Sequence, residues 1–222
     1  MLTKPEKTFS IIFTIILMAE LICDNIESLN LFHYFTKPLI LILLIWFFLK
    51  QVNHLDTKTK YITLFALLFS LTGDILLMFS GISTYFFIGG LFAFLLAHGM
   101  YILVFLKKKN NNNNKVGFLI LILLTYAAIV FYFLKDGLGD LLVPVIIYLL
   151  TILTMAIMAF SRRGSVSEIS YILVFLGALF FITSDSLLAL NKFYVPFKLA
   201  DILIMPTYAI AQYLIVLGLK KQ

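Results

Sequence analysis

Charged residues are scarce in this chain. Of its 222 residues, only 13% are Asp, Glu, Lys or Arg, whereas 62% are hydrophobic. Soluble domains usually carry about 25% charged residues, and the core of a chain of this length cannot hold so many apolar side chains. The excess must face lipid, where a backbone satisfies its own hydrogen bonds by forming helices. We therefore predict an all-α polytopic membrane protein with almost no soluble part.

Cysteine and histidine are also rare. The one cysteine, Cys23, excludes an internal disulfide and a thiolate metal cluster, and we interpret it as a small apolar helix residue. The three histidines, His33, His54 and His98, are scattered, and no pair has ligand spacing. The sequence has no Ser-His-Asp elbow and no phosphate-binding glycine loop. It therefore predicts neither a metal site nor a cofactor.

One short motif resembles a known active site. Residues 137–140 read Gly-Leu-Gly-Asp and match the G-x-G-D of intramembrane aspartyl proteases. That motif belongs inside a span, with a Tyr-Asp partner in the preceding span. Here it follows Lys135 and Asp136 in a short loop, and the span before it has no Asp. A helix start at Asp140 explains these residues better.

Eight apolar runs are long enough to cross a bilayer, which takes roughly 17–25 residues. They cover residues 9–23, 31–49, 61–79, 84–106, 116–134, 141–160, 170–190 and 199–218. The first resembles a signal peptide, but no small-residue cleavage site follows it, so we predict a retained span. The run Asn110–Asn114, flanked by lysines, predicts a flexible polar linker.

The basic residues lie in short clusters between these runs. If the N-terminus is cytoplasmic, thirteen Lys and Arg residues fall in cytoplasmic segments and four on the opposite side. This positive-inside bias predicts that both termini are cytoplasmic, and we expect the bacterial inner membrane as the location. No basic face is interleaved with stacking aromatics, so we predict no nucleic-acid partner. The sequence does not indicate an oligomeric state.

A short pattern occurs twice. Residues 72–77 and 183–188 both fit T-x-D-x-L-L, at an offset of 111 residues. Polar residues follow at similar distances: His98 and Tyr101 after the first copy, Tyr208 and Gln212 after the second. The chain is predicted to be one transmembrane domain with possible four-helix repeat halves at 1–110 and 116–222, as in parallel-repeat transporters. Chance similarity between leucine-rich helices is the alternative.

Ionisable side chains inside spans are functional candidates, because each costs on the order of 3 kcal/mol to insert at a helix centre. They are Glu20, Lys37, Asp74, His98, Asp185 and Asp201. Glu20, Lys37 and Asp201 lie near span ends, where side chains can reach the interface. Asp74 and Asp185 have apolar residues on both sides. Bonds to hydroxyl groups or to a lysine are the structural alternative to a catalytic role.

Two further polar pairs each share a helix face. His98 and Tyr101 are three residues apart, and Tyr208 and Gln212 are four apart. They are candidates for orienting a substrate or a water molecule. Hydrogen-bonded contacts between helices are the alternative explanation.

An ordered set of segments resembles the YhhN-like lysoplasmalogenase family. The segments are KPL at 37–39, LTGDILL at 71–77, AFLLAHGMY at 93–101, TSDSLLAL at 183–190 and YAIAQ at 208–212. The resemblance implies an eight-span membrane hydrolase that cleaves the vinyl ether bond of lysoplasmalogens. Its products would be a fatty aldehyde and a glycerophospho-ethanolamine or -choline. The two span-embedded aspartates of the family match Asp74 and Asp185.

Vinyl ethers are stable to base and break under acid, which suits a pair of carboxyl groups. Protonation of the outer alkene carbon gives an oxocarbenium ion, water adds, and the hemiacetal collapses. In a shared dry site one carboxyl keeps its proton and the other ionises, as in glycosidases. We predict that Asp74 and Asp185 form this pair, with His98, Tyr101, Tyr208 and Gln212 orienting water or substrate. Lys37 is predicted to meet the lipid phosphate.

Two other functions share these features. A proton-coupled transporter or lipid flippase would also use a repeat and buried acids. A purely structural membrane subunit does not need paired buried acids, and is the weaker alternative. Release of fatty aldehyde in detergent distinguishes a hydrolase from a transporter, because transport needs two compartments.

Overall fold

The computed structural model describes residues 3–110 and 115–222, and these ranges are helical with short connections. The helices are α1 (Lys4–Asn25), α2 (Asn30–Gln51), α3 (Thr57–Met78), α4 (Thr84–Leu106), α5 (Val116–Leu134), α6 (Leu142–Phe160), α7 (Glu168–Phe193) and α8 (Ala200–Lys220). Each is long and apolar enough to cross a membrane. The predicted all-α, eight-span fold is confirmed.

Side-chain caps explain several helix starts. Helix α1 begins five residues before the predicted span, because Thr3 and Glu6 form a capping box. The Thr3 backbone amide donates to Glu6 Oε2 at 2.7 Å, and the Glu6 amide donates to Thr3 Oγ1 at 3.4 Å. Asp56 accepts from the Thr59 amide at the start of α3, and Ser167 accepts from the Ser170 amide at the start of α7. These caps satisfy amide groups that have no partner within the helix.

The chain divides into two compact units, Met1–Ala97 and His98–Gln222, and the division falls within α4. Repeat halves at 1–110 and 116–222 stay a prediction. Most of the predicted linker Asn110–Asn114 lies outside the described residues. Its first residue, Asn110, contacts the turn between α6 and α7. The Asn110 backbone amide donates to the Ser161 carbonyl there at 2.7 Å.

Small residues let α7 and α8 pack closely in the second unit. A Cβ on Gly177 would lie 2.9 Å from the Ala211 carbonyl oxygen, and one on Gly218 would lie 3.0 Å from the Val174 amide nitrogen. The Ser170 hydroxyl donates to the Gly218 carbonyl at 2.7 Å. Close backbone approach through small residues is the usual way in which membrane helices associate. This pair of helices therefore forms a rigid support for the side chains of α7.

Proline interrupts α8 without breaking it. Pro206 lies inside the helix and lacks an amide hydrogen. Two hydroxyl groups donate to the Ile204 carbonyl nearby: Ser184 of α7 at 3.0 Å and Thr207 of α8 itself at 2.9 Å. These bonds join the turn before Pro206 to α7 and to a side chain of α8, whereas the carbonyl that loses its amide partner to the proline is that of Ile202.

A buried arginine joins the end of α6 to α7 and the C-terminus. Arg162 is fully buried, and its Nη2 donates to Ser170 Oγ at 3.1 Å and to Gln222 Oε1 at 2.7 Å. Its guanidinium carbon lies 5.5 Å from the centre of the Phe105 ring. Burial lowers the pKa of Arg162 to about 10, so the group stays charged at neutral pH.

The G-x-G-D segment lies in a loop, as predicted, but the predicted helix start at Asp140 is wrong by two residues. Lys135–Gly137 and Gly139–Leu141 form two 3-10 turns, and α6 begins at Leu142 without a side-chain cap. Gly139 has a φ of +48°, which glycine adopts without strain. This backbone turn delays the start of the α-helix.

The α7–α8 contact generates a stability prediction. Gly177→Ala should lower the free energy of unfolding by about 1–3 kcal/mol, because the added methyl group meets backbone atoms that cannot move away. Thermal unfolding of the purified protein in detergent measures the effect. Gly117→Ala is the matched control, since a Cβ there has no neighbour within 4 Å. Equal melting temperatures for the two variants would contradict this account of the packing.

Candidate functional site

Asp185 of α7 is the centre of a hydrogen-bonded group in the second unit. The Tyr148 hydroxyl, from α6, donates to Asp185 Oδ2 at 2.5 Å. His98 Nε2, from α4, lies 3.3 Å from the same oxygen and 3.0 Å from the Tyr148 hydroxyl oxygen. The Asp185 side chain is 14% exposed, so little water can replace these partners. Helices α4 and α6 thus place an imidazole and a phenol beside one oxygen atom of a carboxyl group on α7.

The positions of these atoms indicate which nitrogen of His98 carries a proton. Tyr148 uses its own hydrogen towards Asp185, so its oxygen is an acceptor for His98. Both neighbours of Nε2 are then acceptors, and we assign the proton to Nε2. His98 is fully buried, and its Nδ1 makes no hydrogen bond within the described residues. The His98 ring is held edge-on against the Phe181 ring, with centroids 4.6 Å apart.

A second polar contact also links α4 to another helix. The Tyr101 hydroxyl donates to Gln212 Oε1 of α8 at 2.6 Å, and both side chains are fully buried. Tyr208, which is also predicted to orient substrate or water, packs edge-on against Phe181, with ring centres 5.4 Å apart. Both the Tyr208 ring and the His98 ring therefore contact Phe181. Tyr101 and Gln212 thus form a hydrogen bond between two helices, which is the expected alternative to a role in orienting substrate or water.

An apolar cleft lies beside Asp185. It is open on one side and lies between α5, α6 and α7. Its polar lining consists of Tyr148, Asp185 and Ser186, and the Ser186 hydroxyl accepts from Tyr126 at 2.8 Å. The remaining lining residues are aliphatic: Val130, Leu134, Val145, Leu149, Ile152, Ile182 and Ala189. Apolar walls with a few placed polar groups are typical of sites for small apolar ligands.

The other two predicted site residues, Asp74 and Lys37, lie in the first unit. Asp74 of α3 is 2% exposed, so its burial, expected from its apolar neighbours in the sequence, is observed. The preceding Gly73 lies against the Phe94 ring, where a Cβ would be 2.6 Å from a ring carbon. Lys37 of α2 is half-buried. Their roles in catalysis and in binding phosphate stay predictions.

The sequence did not single out Tyr148, Tyr126 and Ser186. A signal was present for the two tyrosines, because each lies in the interior of an apolar run. Tyr and Trp in membrane proteins concentrate at the two interfaces, and a buried Tyr hydroxyl needs a partner. A mid-span tyrosine therefore indicates a polar partner on another helix.

A separate polar group lies at the turn between α1 and α2 in the first unit. Glu20, Asp24 and His33 each offer one donor atom, and these atoms all lie within 4.8 Å of one another. Spacing rules missed this group because its members come from two helices. Among the described residues, it is the set of carboxylate and imidazole donors whose geometry could hold a metal ion.

Comparison with known proteins gives one positive result. No curated protein and no solved structure matches the chain significantly. The family model of the YhhN family matches residues 32–219, which is most of the chain and includes all the helices that carry the Asp185 group and Asp74. The chain therefore belongs to the YhhN family.

Proposed function

We propose that the protein is a membrane-embedded hydrolase that cleaves the vinyl ether bond of lysoplasmalogens. The YhhN family is associated with lysoplasmalogenase activity. The observation that carries the proposal is the Asp185 carboxyl, which lines an apolar cleft while Tyr148 and His98 hold one of its oxygens. No cofactor is part of the proposed reaction.

The first step is transfer of a proton from carboxyl to carbon. The Asp185 carboxylic acid gives its proton to the outer alkene carbon, and the alkene electron pair forms the new C–H bond. An oxocarbenium ion and the Asp185 carboxylate result. The donors Tyr148 and His98 both face Oδ2, and hydrogen bonds to a charged oxygen lower the free energy of that charged state. They therefore favour the state that the proton transfer creates.

The second step returns the proton. The Asp185 carboxylate stabilises the cation beside it and accepts a proton from the water that attacks the carbon bonded to oxygen. The hemiacetal C–O bond then breaks: the hemiacetal hydroxyl loses its proton as the aldehyde C=O forms, and the leaving glycerol oxygen gains a proton to become a hydroxyl of the headgroup fragment. Atoms and charge balance, because the attacking water supplies the proton that re-forms the Asp185 carboxylic acid. One carboxyl thus acts as general acid and then as general base.

The cleft supports a substrate with a single apolar chain. Its aliphatic walls can contact the hydrocarbon part of the alkenyl chain, and the polar end holds Asp185 and Tyr148. An apolar environment excludes the bulk water that would otherwise screen the charges formed in the reaction. A lysolipid already resides in the bilayer and can enter an open cleft from the side.

Asp185→Asn should lower kcat for fatty aldehyde release from a lysoplasmalogen by at least about a hundredfold, because the amide cannot donate an acidic proton. The assay is aldehyde release by the purified protein in detergent. Asp201→Asn is the matched control, since Asp201 is an exposed acid at the start of α8. Wild-type turnover by Asp185→Asn, in protein with an unchanged melting temperature, would refute the proposed acid.

Tyr148→Phe tests whether the Tyr148 hydroxyl stabilises the Asp185 carboxylate. It keeps the ring and removes the hydroxyl that donates to Asp185. A hydrogen bond to a charged group contributes about 1.5–3 kcal/mol, so kcat should fall about tenfold to hundredfold while KM changes little. Tyr132→Phe, at a tyrosine that is 65% exposed, is the control. A change in KM alone would show that Tyr148 positions the lipid rather than the carboxylate.

We also propose that Asp74 is required for activity, as the family resemblance implies. Asp74→Asn keeps the shape of a side chain that is 2% exposed, so the fold should persist. We expect aldehyde release to fall by at least about a hundredfold, the range for loss of an acid–base group. Asp201→Asn again serves as the control. Turnover at the wild-type rate would leave Asp185 as the working carboxyl.

The same preparation distinguishes hydrolysis from transport. A transporter or flippase needs a sealed membrane, whereas the proposed hydrolase releases aldehyde in detergent micelles. Intact lysoplasmalogen recovered after incubation with active, folded protein would favour the transporter. Lysophospholipids with an ester bond in place of the vinyl ether are the substrate control, because they cannot form the same cation by protonation at carbon.

A further inference from the structure

Glu20, Asp24 and His33 meet at the hairpin formed by α1 and α2. Glu20 and Asp24 are four residues apart, so they lie on one face of α1 near its end. A 3-10 turn, Glu27–Leu29, reverses the chain and brings His33, in the first turns of α2, against that face. His33 Nδ1 lies 2.8 Å from Glu20 Oε1 and 3.2 Å from Asp24 Oδ1.

The two deepest members face each other without forming a hydrogen bond. Glu20 is 1% exposed and His33 is 7% exposed. Glu20 Oε1 and His33 Nδ1 are buried and lie at ion-pair distance from each other, but neither atom makes a well-directed hydrogen bond in the described part of the chain. Buried polar atoms are nearly always hydrogen-bonded, so an orphaned pair needs an explanation. A ligand that both atoms contact at once provides one.

The other oxygen of Glu20 is held in place. The Thr36 hydroxyl, one turn beyond His33 on α2, donates to Glu20 Oε2. This bond fixes the rotation of the carboxylate and directs Oε1 towards His33. Outer hydrogen bonds of this kind orient the ligands of metal ions in proteins.

Two of the three separations between the donor atoms fit a common ion. Two ligand atoms that bind one ion at about 2.1 Å lie about 3.0 Å apart at right angles, and about 3.4 Å apart in a tetrahedron. The observed values of 2.8 Å and 3.2 Å are close to this range. Charge favours the same conclusion. A divalent cation with a neutral imidazole balances the charges of both carboxylates.

We propose that Glu20, Asp24 and His33 bind a divalent transition-metal ion that fastens α1 to α2. One imidazole nitrogen and two carboxylate oxygens are a donor set suited to zinc or manganese. Glu20 and Asp24 precede residues 32–219, which the family model matches. His33 lies within the matched residues. The ion is assigned no part in the hydrolase reaction, and its expected effect is on the stability of the first helix.

Metal binding is measured on the full-length protein in detergent after dialysis against a chelator. Added Zn²⁺ should bind at about one equivalent per chain and raise the melting temperature, because a ligand that binds only the folded state stabilises it. Co²⁺ should bind at the same site and give d–d absorption bands. Both readouts are separate from aldehyde release, so failure here leaves the proposed hydrolase untouched.

Variants at two of the three donors, and at neighbouring residues, locate the ion. Glu20→Gln and Asp24→Asn should each weaken Zn²⁺ binding by more than about tenfold, and Thr36→Val, which removes no ligand, by about tenfold. Glu27→Gln, at an exposed acid in the connecting turn, is the matched control. Cys23→Ser tests the nearby thiol. Glu27→Gln and Cys23→Ser should both bind Zn²⁺ as the wild type does.

Three outcomes would overturn the proposal. The first is a Zn²⁺ content below about 0.1 equivalent with no cobalt absorption in folded protein, which would make the group a protonated histidine paired with two carboxylates. The second is equal affinity in Glu20→Gln, Asp24→Asn and the wild type. The third is loss of binding in Cys23→Ser alone. Asp24 is half-buried, so Asp24→Asn keeps the test valid even where Glu20→Gln does not fold.

Discussion

The absence of water in the hydrocarbon region is the constraint on which this structure depends. A polar side chain there must find its partner within the protein, because leaving it unpaired costs several kcal/mol. Several hydroxyl groups solve this locally: Thr72, Thr125 and Thr183 each donate to the carbonyl four residues earlier in their own helix. Side chains that reach another helix mark the places where helices are held in a particular arrangement.

Close packing and polar pairing work together in the second unit. Gly177 and Gly218 let α7 and α8 approach until backbone atoms almost touch. That approach brings the Ser184 hydroxyl within reach of the Ile204 carbonyl beside the kink-prone Pro206. Because α7 is fixed along this side, the Asp185 carboxyl on the same helix has a defined position relative to α6. Precise placement of a reacting group needs such a rigid support.

The two carboxylate groups differ in the number of donors around them. Asp185 Oδ2 has both a phenol and an imidazole as neighbours, so a negative charge there is well supported, as acid–base chemistry requires. At the α1–α2 turn two carboxylates share one imidazole, and Thr36 supplies a hydrogen bond to one of them. The first arrangement stabilises a carboxylate through hydrogen bonds. The second attracts a cation, which is the physical basis for assigning the two groups different roles.

Composition and periodicity were sufficient to predict the fold class, the eight spans and their approximate limits, because transfer of apolar side chains into lipid is a local property of each segment. Asp185 and His98 were also predictable as candidate site residues, from the cost of burying ionisable groups. Tyr148, the Tyr126–Ser186 bond and the Glu20–Asp24–His33 group were not, since their partners come from different helices. Which side chains meet depends on how the helices pack and rotate against one another. Only the tertiary structure decides that, because no spacing along the chain encodes it.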